Sequence, residues 1–501
     1  MKHPYLILTL IVLAVYGQII FFDLTYLDDY TLIVANSEIL GNPQNLIKGF
    51  GEDFLRVVSG GYYYRPLITF SFMLNALIAG TNPFVYHLTN VLLHLVTVLF
   101  LYKFLNEFSS KLTALLGAIF FAVHPALLQT IAWIPGRTDI LPALFTLVSI
   151  WAFQKAWYGK SLAYIFLHFT FMALALLSKE LGIFIPILCA SYAFLIIKKW
   201  NWNRLAIFVS GWAGLIVLWF FARSDFISQS GGGFFEMLGS GLTGLYAGMI
   251  YYGKILLPFN LSTFPVLSDS TLVYGLVALV LLGTAMVVRQ NKNYHEIIFG
   301  TFWFVLFLFP ALVRPNPGAD PELLEHRLYL PMIGIIIVLL QLAIPRLVAY
   351  SAIILLAILN IAHARNFADG FKYWSKAAQS SPHSAVAHRQ LGVMLYLRGD
   401  KAAAQYEYEK AIELDFQQPV VHTNLGLVYQ EHGKLKQAEN EFLSEIKINP
   451  EYDQGYFNLG NLYYELGRFD LARLNWEKTL KINPGHQDAR RNLHVLTGIP
   501  R

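Results

Sequence analysis

What this chain can fold into is limited first by its apolar runs, which recur at the length of a bilayer crossing from the N-terminus to about Ala362 and then stop. A helical crossing needs about 20 mainly apolar residues. Eleven stretches qualify or nearly so: 5–22, 84–105, 112–124, 138–156, 161–178, 182–198, 205–222, 271–289, 296–313, 328–345 and 347–363. The 112–124 stretch is short and ends at His124-Pro125, which marks a helix break. Residues 238–258 are apolar but Gly-rich and read as a re-entrant or interfacial helix that does not cross. Soluble domains carry about 25% charged residues, whereas this 501-residue chain has 14%. Beyond Arg365 the charge density becomes that of a soluble helical protein, so two domains face two solvents: 1–363 in the membrane and 364–501 in water.

Charge orients the spans. With the N-terminus in the cytoplasm, one set of loops collects Lys103, Lys111, Lys155, Lys160, Lys198, Lys199, Arg204, Arg289, Lys292 and Arg346, against Glu107 and Glu296 alone. That is the positive-inside pattern, and it places the C-terminal domain on the outer face. The net charge of +5 is therefore topology and not a nucleic-acid surface. Residues 5–22 lack a small-residue cleavage site after them and read as a retained span. The single cysteine, Cys189, admits no intramolecular disulfide.

The C-terminal third repeats. Leu391-Gly392, Leu425-Gly426 and Leu459-Gly460 recur every 34 residues, the tetratricopeptide (TPR) period. Ala404, Ala438 and Ala472 keep step as small residues between paired helices, and Tyr408, Phe442 and Trp476 as the large aromatics. Pro450 and Pro484 end second helices, where Phe416 replaces the first repeat's proline. Full repeats are expected at about 385–418, 419–452 and 453–486, after a half repeat at 364–383 carrying Trp374, Ala377 and Pro382, with a capping helix at 487–497. The half repeat implies a solenoid that docks on the membrane domain. Stacked repeats offer a groove for an extended peptide, and Gln390, Asn424 and Asn458 occupy equivalent positions where their amides would meet its main chain or simply serve helix packing.

Charged groups at the membrane edge are costly and mark substrate or ion paths. On the outer face, Asp28-Asp29, Arg65, His124, Arg137 with Asp139, Lys179-Glu180 and Glu325-His326-Arg327 all sit at or near span ends, which predicts a shared polar cavity. Neighbouring carboxylates in a water-poor site raise one another's pKa and suit a general base; an Asp pair equally suits an ordinary helix N-cap. Arg137 has a bland alternative in pairing with Asp139, Lys179 in pairing with Glu180, and Arg327 in a salt bridge to Glu325. His87 and His94 share a helix face and either line the cavity or fill a helix interface.

Asp28-Asp29, Tyr64-Arg65-Pro66-Leu67, the run from Tyr86-His87 to His94, His124-Pro125, Gly136-Arg137-Thr138-Asp139, Ser178-Lys179-Glu180 and Glu325-His326-Arg327-Leu328-Tyr329 occur in order and finish in TPR units. In this the chain resembles the GT-C membrane glycosyltransferases, and most closely the transmembrane-and-TPR protein O-mannosyltransferases and their bacterial relatives. The resemblance implies an all-α polytopic bundle of about eleven spans with a TPR α-solenoid behind it, and an outer loop at 23–83. It implies inverting transfer of a hexose, mannose or another, from a polyprenyl-phosphate donor to Ser or Thr of a protein held by the TPR domain. Asp28 is then the base with Asp29 a supporting acceptor, and Arg327, Arg137, Arg65 and Lys179 the cations for the donor phosphate. Asp139, Glu180, His87, His124, Glu325 and Tyr329 would line the cavity. No cofactor is required and no metal spacing stands out, although Asp28, Asp29 and His124 are capable of holding a divalent ion. The few repeats and compact chain point to a bacterial plasma membrane. A GT-C enzyme acting on a pyrophosphate-linked glycan or on a lipid or cell-wall glycan, and a non-catalytic membrane-anchored TPR scaffold, are the rival readings.

Overall fold

The protein's structure, a computed structural model, describes residues 3–48, 64–159, 161–197, 200–224, 241–289, 293–313, 320–342 and 344–498. Lys160, Lys198, Lys199 and Lys292 of the orientation argument, the middle of the 23–83 loop and the start of the 238–258 stretch lie outside these residues. Two compact units divide at Tyr373/Trp374, ten residues beyond the boundary read from composition and inside the helix Gly370–Ser380.

In the first unit a helix occupies each expected crossing. Among the described residues six are long and apolar enough to span a membrane: Pro4–Phe21, Pro83–Leu105, Ile134–Tyr158, Trp202–Ser224, Tyr294–Leu312 and Arg346–Phe367. A seventh forms if Lys111–Val123 and Pro125–Ala132, bent by 54°, count as one span. The apolar helices at Leu162–Ser178, Glu180–Leu195, Val273–Val288 and Pro331–Leu340 are shorter, so length alone does not reach eleven. The break at His124-Pro125 falls as expected. The proline cannot continue the helix, and the buried His124 imidazole accepts from the Ala126 N–H at 3.2 Å while its Nε2 meets the Ile255 carbonyl at 2.8 Å. His124 is thus a cap, not a cavity wall.

Ile134–Tyr158 is the central helix, 83% buried in its most apolar stretch, whereas Trp202–Ser224 is 17% buried and turns its apolar surface outward, as a lipid-facing helix does. Gly136 at the head of the central helix is compulsory: a Cβ there would lie 2.1 Å from the Thr130 carbonyl oxygen. The helix Pro66–Ala79, which the hydropathy reading passed over, packs through Ile68, Phe72 and Met73 against Leu32, Ile33 and Tyr86.

The second unit is the expected solenoid. Helix hairpins Ala385–Leu397/Lys401–Leu414, Val421–Glu431/Leu435–Ile448 and Asp453–Glu465/Phe469–Ile482 are followed by Gln487–Thr497. The Leu-Gly signature has a direct cause: a Cβ on Gly392, Gly426 or Gly460 would lie 2.5, 2.6 or 2.6 Å from the Tyr408, Phe442 or Trp476 ring. The aromatics therefore seat on the first helix of their own hairpin. Gly399, Gly433 and Gly467 end the first helices at φ 84, 71 and 72, where only glycine is unstrained. His388 and His422, one repeat apart, meet Glu407 and Glu441 at 2.5 and 2.6 Å through Nδ1, and the Pro382 and Phe416 carbonyls through Nε2.

Candidate functional site

The loop after the first span is locked by Asp29. This carboxylate is fully buried; Oδ2 accepts from the Thr25 N–H and Oγ1–H at 2.8 and 2.9 Å, and Oδ1 from the Tyr30 N–H at 3.0 Å, capping the turn Tyr30–Val34. Tyr26, at φ 59, makes the sharp reversal this needs and stacks on Tyr30. The two acids part company: Asp29 caps, and Asp28 lines a cavity.

That cavity, of about 660 Å³, is the polar chamber the span ends foreshadowed and lies in the range of ligand sites. Asp28, Arg65, Asp139, Lys179, Glu180 and Arg327 all line it, with Trp133, Glu322 and His326. These nine residues arrive from five stretches of chain. Burial pushes the Asp28 carboxyl up to about 6, with the charges of Asp29 and Glu322 adding to it. Burial raises Asp29 too, against the hydrogen bonds it accepts.

The cations differ in availability. Lys179 Nζ lies 2.6 Å from Asp139 Oδ1, and Arg65 Nη2 lies 2.8 Å from Glu180 Oε2, so the expected pairings of Lys179 with Glu180 and Arg137 with Asp139 are exchanged for partners across the cavity. Arg327 donates from Nη1 to the Glu322 carbonyl at 2.7 Å and faces the Tyr251 hydroxyl; among the described residues it pairs with no carboxylate, Glu325 included. Among the described residues it is the one of the chamber's Lys and Arg side chains that makes no ion pair with a carboxylate.

Arg137 is displaced from the donor-binding set. It is fully buried and does not line the cavity. Its donors reach Asn90 Oδ1 at 3.0 Å, Asn75 Oδ1 at 2.7 Å, Tyr86 O at 3.0 Å, and Ser71 O and Oγ at 3.2 and 3.3 Å, with the guanidinium 4.3 Å over the Phe72 ring. A guanidinium so saturated has no fork left for phosphate. Glu325 is likewise withdrawn: buried, it pairs with Lys254 at 2.6 Å. Tyr329 and His94 bond each other at 2.7 Å in the interior, and His87 is buried outside the chamber. Of the TPR amides, Asn458 is 5% exposed, accepts from Gln454 and leaves Nδ2 without a hydrogen-bond partner, while Gln390 and Asn424 are half-buried. Among the described residues no group of three or more His, Cys, Asp or Glu is arranged to hold a metal ion.

Sequence reading missed Glu322, Trp133 and Lys254. Glu322 stands three residues before a motif that was noticed; Lys254 lies in the Gly-rich stretch whose role was open.

Residues 65–224 match the family model described as dolichyl-phosphate-mannose-protein mannosyltransferase, and residues 454–486 a tetratricopeptide repeat model. Among curated proteins, the chain is 35% identical over 189 residues to "Protein O-mannosyl-transferase tmtc2" of Xenopus laevis, covering 36% of this chain and 22% of that one. To "Protein O-mannosyl-transferase TMTC2" of Homo sapiens it is 39% identical over 154 residues, covering 28% and 18%. The matched region thus spans about a fifth of the length of these relatives. A solved TPR domain, "First TPR of Spaghetti (RPAP3) bound to HSP90 peptide SRMEEVD", is 23% identical over 23% of this chain and 90% of that one, at a TM-score of 0.22. The chain is a multi-pass membrane protein with a glycosyltransferase-like membrane segment and TPR repeats. Within that class it resembles the protein O-mannosyltransferases that combine the two.

Proposed function

We propose that the protein is a membrane glycosyltransferase that moves a hexose, mannose by resemblance, from a polyprenyl-phosphate donor to Ser or Thr hydroxyls of a protein acceptor on the outer face. The observation that carries this is the shared chamber of Asp28, a carboxylate with raised proton affinity, and Arg327, a guanidinium that pairs with no carboxylate among the described residues. Asp28 takes the proton of the acceptor hydroxyl as its oxygen attacks the anomeric carbon. The carbon–oxygen bond to phosphate breaks, and the negative charge that gathers on the phosphate oxygen is met by Arg327. A single displacement inverts the anomeric centre. Arg65 and Lys179, each already neutralised, shape the chamber through Glu180 and Asp139. The half-buried amides of Gln390 and Asn424 meet the acceptor backbone, with Asn458 buried beside them, and the positive-inside count supports an N-terminus in the cytoplasm and a chamber outside.

The test uses the purified chain in detergent, a synthetic polyprenyl-phosphate hexose and Ser/Thr-containing peptides. Wild type transfers sugar; Asp28→Asn slows transfer by about 10²–10⁴-fold, and Arg327→Gln by about 10²–10³-fold. Transfer solely from a pyrophosphate-linked glycan would move the assignment to an oligosaccharyltransferase. Peptide capture with neither transfer nor lipid-phosphate binding would leave a scaffold.

A further inference from the structure

A second cavity, of about 550 Å³, shares no lining residue with the first. One wall is the helix Lys111–Val123, presenting Leu116 and Phe120; the others are Pro331–Leu340 and Arg346–Ala364, with Leu339, Ala352 and Ile353. Its polar groups gather where two of these helices begin. Ser110 and Thr113, hydroxyls bonded to each other at 2.9 Å, stand there with Arg346 and with Arg289 at the end of Val273–Val288. Two guanidiniums line the cavity and, among the described residues, no Asp or Glu does. Arg289 and Arg346 both belong to the loops that charge counting assigns to the cytoplasm.

We infer that this cavity binds one anionic glycerophospholipid of the cytoplasmic leaflet, its phosphate between Arg289 and Arg346 and one acyl chain along the apolar walls. Charge complementarity selects the headgroup. Guanidinium matches phosphate oxygens in geometry as well as sign, and basic recesses between spans on this side favour acidic lipids. Depth selects the tail. From Ser110 to Phe120 the wall rises about 15 Å at 1.5 Å per residue, half of the roughly 30 Å hydrocarbon core. That is the reach of a leaflet's acyl chain and too short for a polyprenyl chain.

The experiment titrates the delipidated full-length chain in neutral detergent with phosphatidylglycerol, phosphatidylcholine, a polyprenyl phosphate or inorganic phosphate. Bound lipid is counted by native mass spectrometry, and thermal unfolding is followed in parallel. One phosphatidylglycerol is expected per chain, bound more tightly than phosphatidylcholine. Arg289→Gln and Arg346→Gln each weaken it about five-fold, from roughly 1 kcal/mol per basic residue. Ala352→Trp, which fills the apolar wall and leaves the charges alone, weakens both glycerophospholipids and keeps the inference testable if an arginine variant fails to fold. Equal affinity for the two glycerophospholipids, undiminished binding by Ala352→Trp, or the same stabilisation from inorganic phosphate would overturn it. Tighter binding of polyprenyl phosphate would overturn the assigned occupant.

Discussion

Arg137→Lys separates a structural arginine from a donor-binding one. The substitution keeps the positive charge but trades a planar fork of five donors for a point charge with three. Arg137 serves five acceptor atoms, spread over Ser71, Asn75, Tyr86 and Asn90. A lysine ammonium reaches at most three of them, so at least two are released. Ser71 Oγ keeps a partner by donating to the Ile68 carbonyl at 2.7 Å, and the Ser71 and Tyr86 carbonyls lie inside helices, so the acceptors at risk are the amide oxygens of Asn75 and Asn90, one of which is orphaned where a point charge does not span both. Each orphan costs about 1–3 kcal/mol, and the stacking on Phe72 is lost as well, at about 0.5–2 kcal/mol. The expected loss is about 2–4 kcal/mol of stability, read by denaturant unfolding of the detergent-solubilised chain. Transfer per folded molecule should change little in KM for the lipid donor. If Arg137→Lys keeps wild-type stability to within about 0.5 kcal/mol while donor KM rises ten-fold or more, the staple reading is refuted and the residue returns to the donor site.

The buried Lys254–Glu325 pair makes a complementary case: Lys254→Met strands a buried carboxylate and should cost about 3–5 kcal/mol, and adding Glu325→Leu should recover most of it in a double-mutant cycle. For Asp28, whose carboxyl is raised to about 6, transfer should climb as pH rises through about 6 and level off above it; Asp28→Asn should abolish that limb in rate measurements from pH 4.5 to 8. Because the folded state raises this acid's affinity for a proton, its ionisation opposes folding above pH 6, so Asp28→Asn should unfold at a higher temperature than wild type at pH 7.5. In the solenoid, burial lowers the His422 pKa but the bonds to Glu441 and the Phe416 carbonyl and the charges of Glu441 and Glu445 together carry it above 6.5. Its stabilisation is fully present below pH 6.5 and lost as pH rises through the folded value. Amide exchange in Val421–Ile448 of the full chain, corrected for intrinsic rate, should therefore speed up between pH 6 and 8, and His422→Gln should remove the difference.

Periodicity carried the fold a long way. The 34-residue register placed every TPR helix because each repeat must seat an aromatic ring on a glycine, a constraint that leaves both residues visible. A helix stands at each crossing hydropathy expected, but hydropathy overstated how many are long enough to cross, since burial against neighbours and exposure to lipid demand the same side chains. It also passed over Pro66–Ala79, whose apolar face meets protein. The chamber was legible through the expense of charge at a membrane edge, which brought Asp28, Arg65, Lys179, Glu180 and Arg327 together correctly. Pairings were not legible. That Lys179 meets Asp139 while Arg65 meets Glu180 depends on helices separated by scores of residues, and spacing along the chain carries no trace of it. Arg137 read as a donor-phosphate cation because a charge at a span end needs a partner, and sequence does not tell the neutral acceptors it meets from a ligand.

The chamber's assembly from distant stretches also sets a schedule for biogenesis. Asp28 emerges early and Arg327 follows 299 residues later. At about 5–20 residues per second of synthesis, roughly 15–60 s pass between them. During that interval the early loop already carries its acid, yet Arg327, and Lys254 with its partner Glu325, have still to be made. A ribosome-bound intermediate therefore lacks the Arg327 guanidinium, and the chamber is completed in one step, once the segment holding Glu322–Arg327 folds back between the earlier helices.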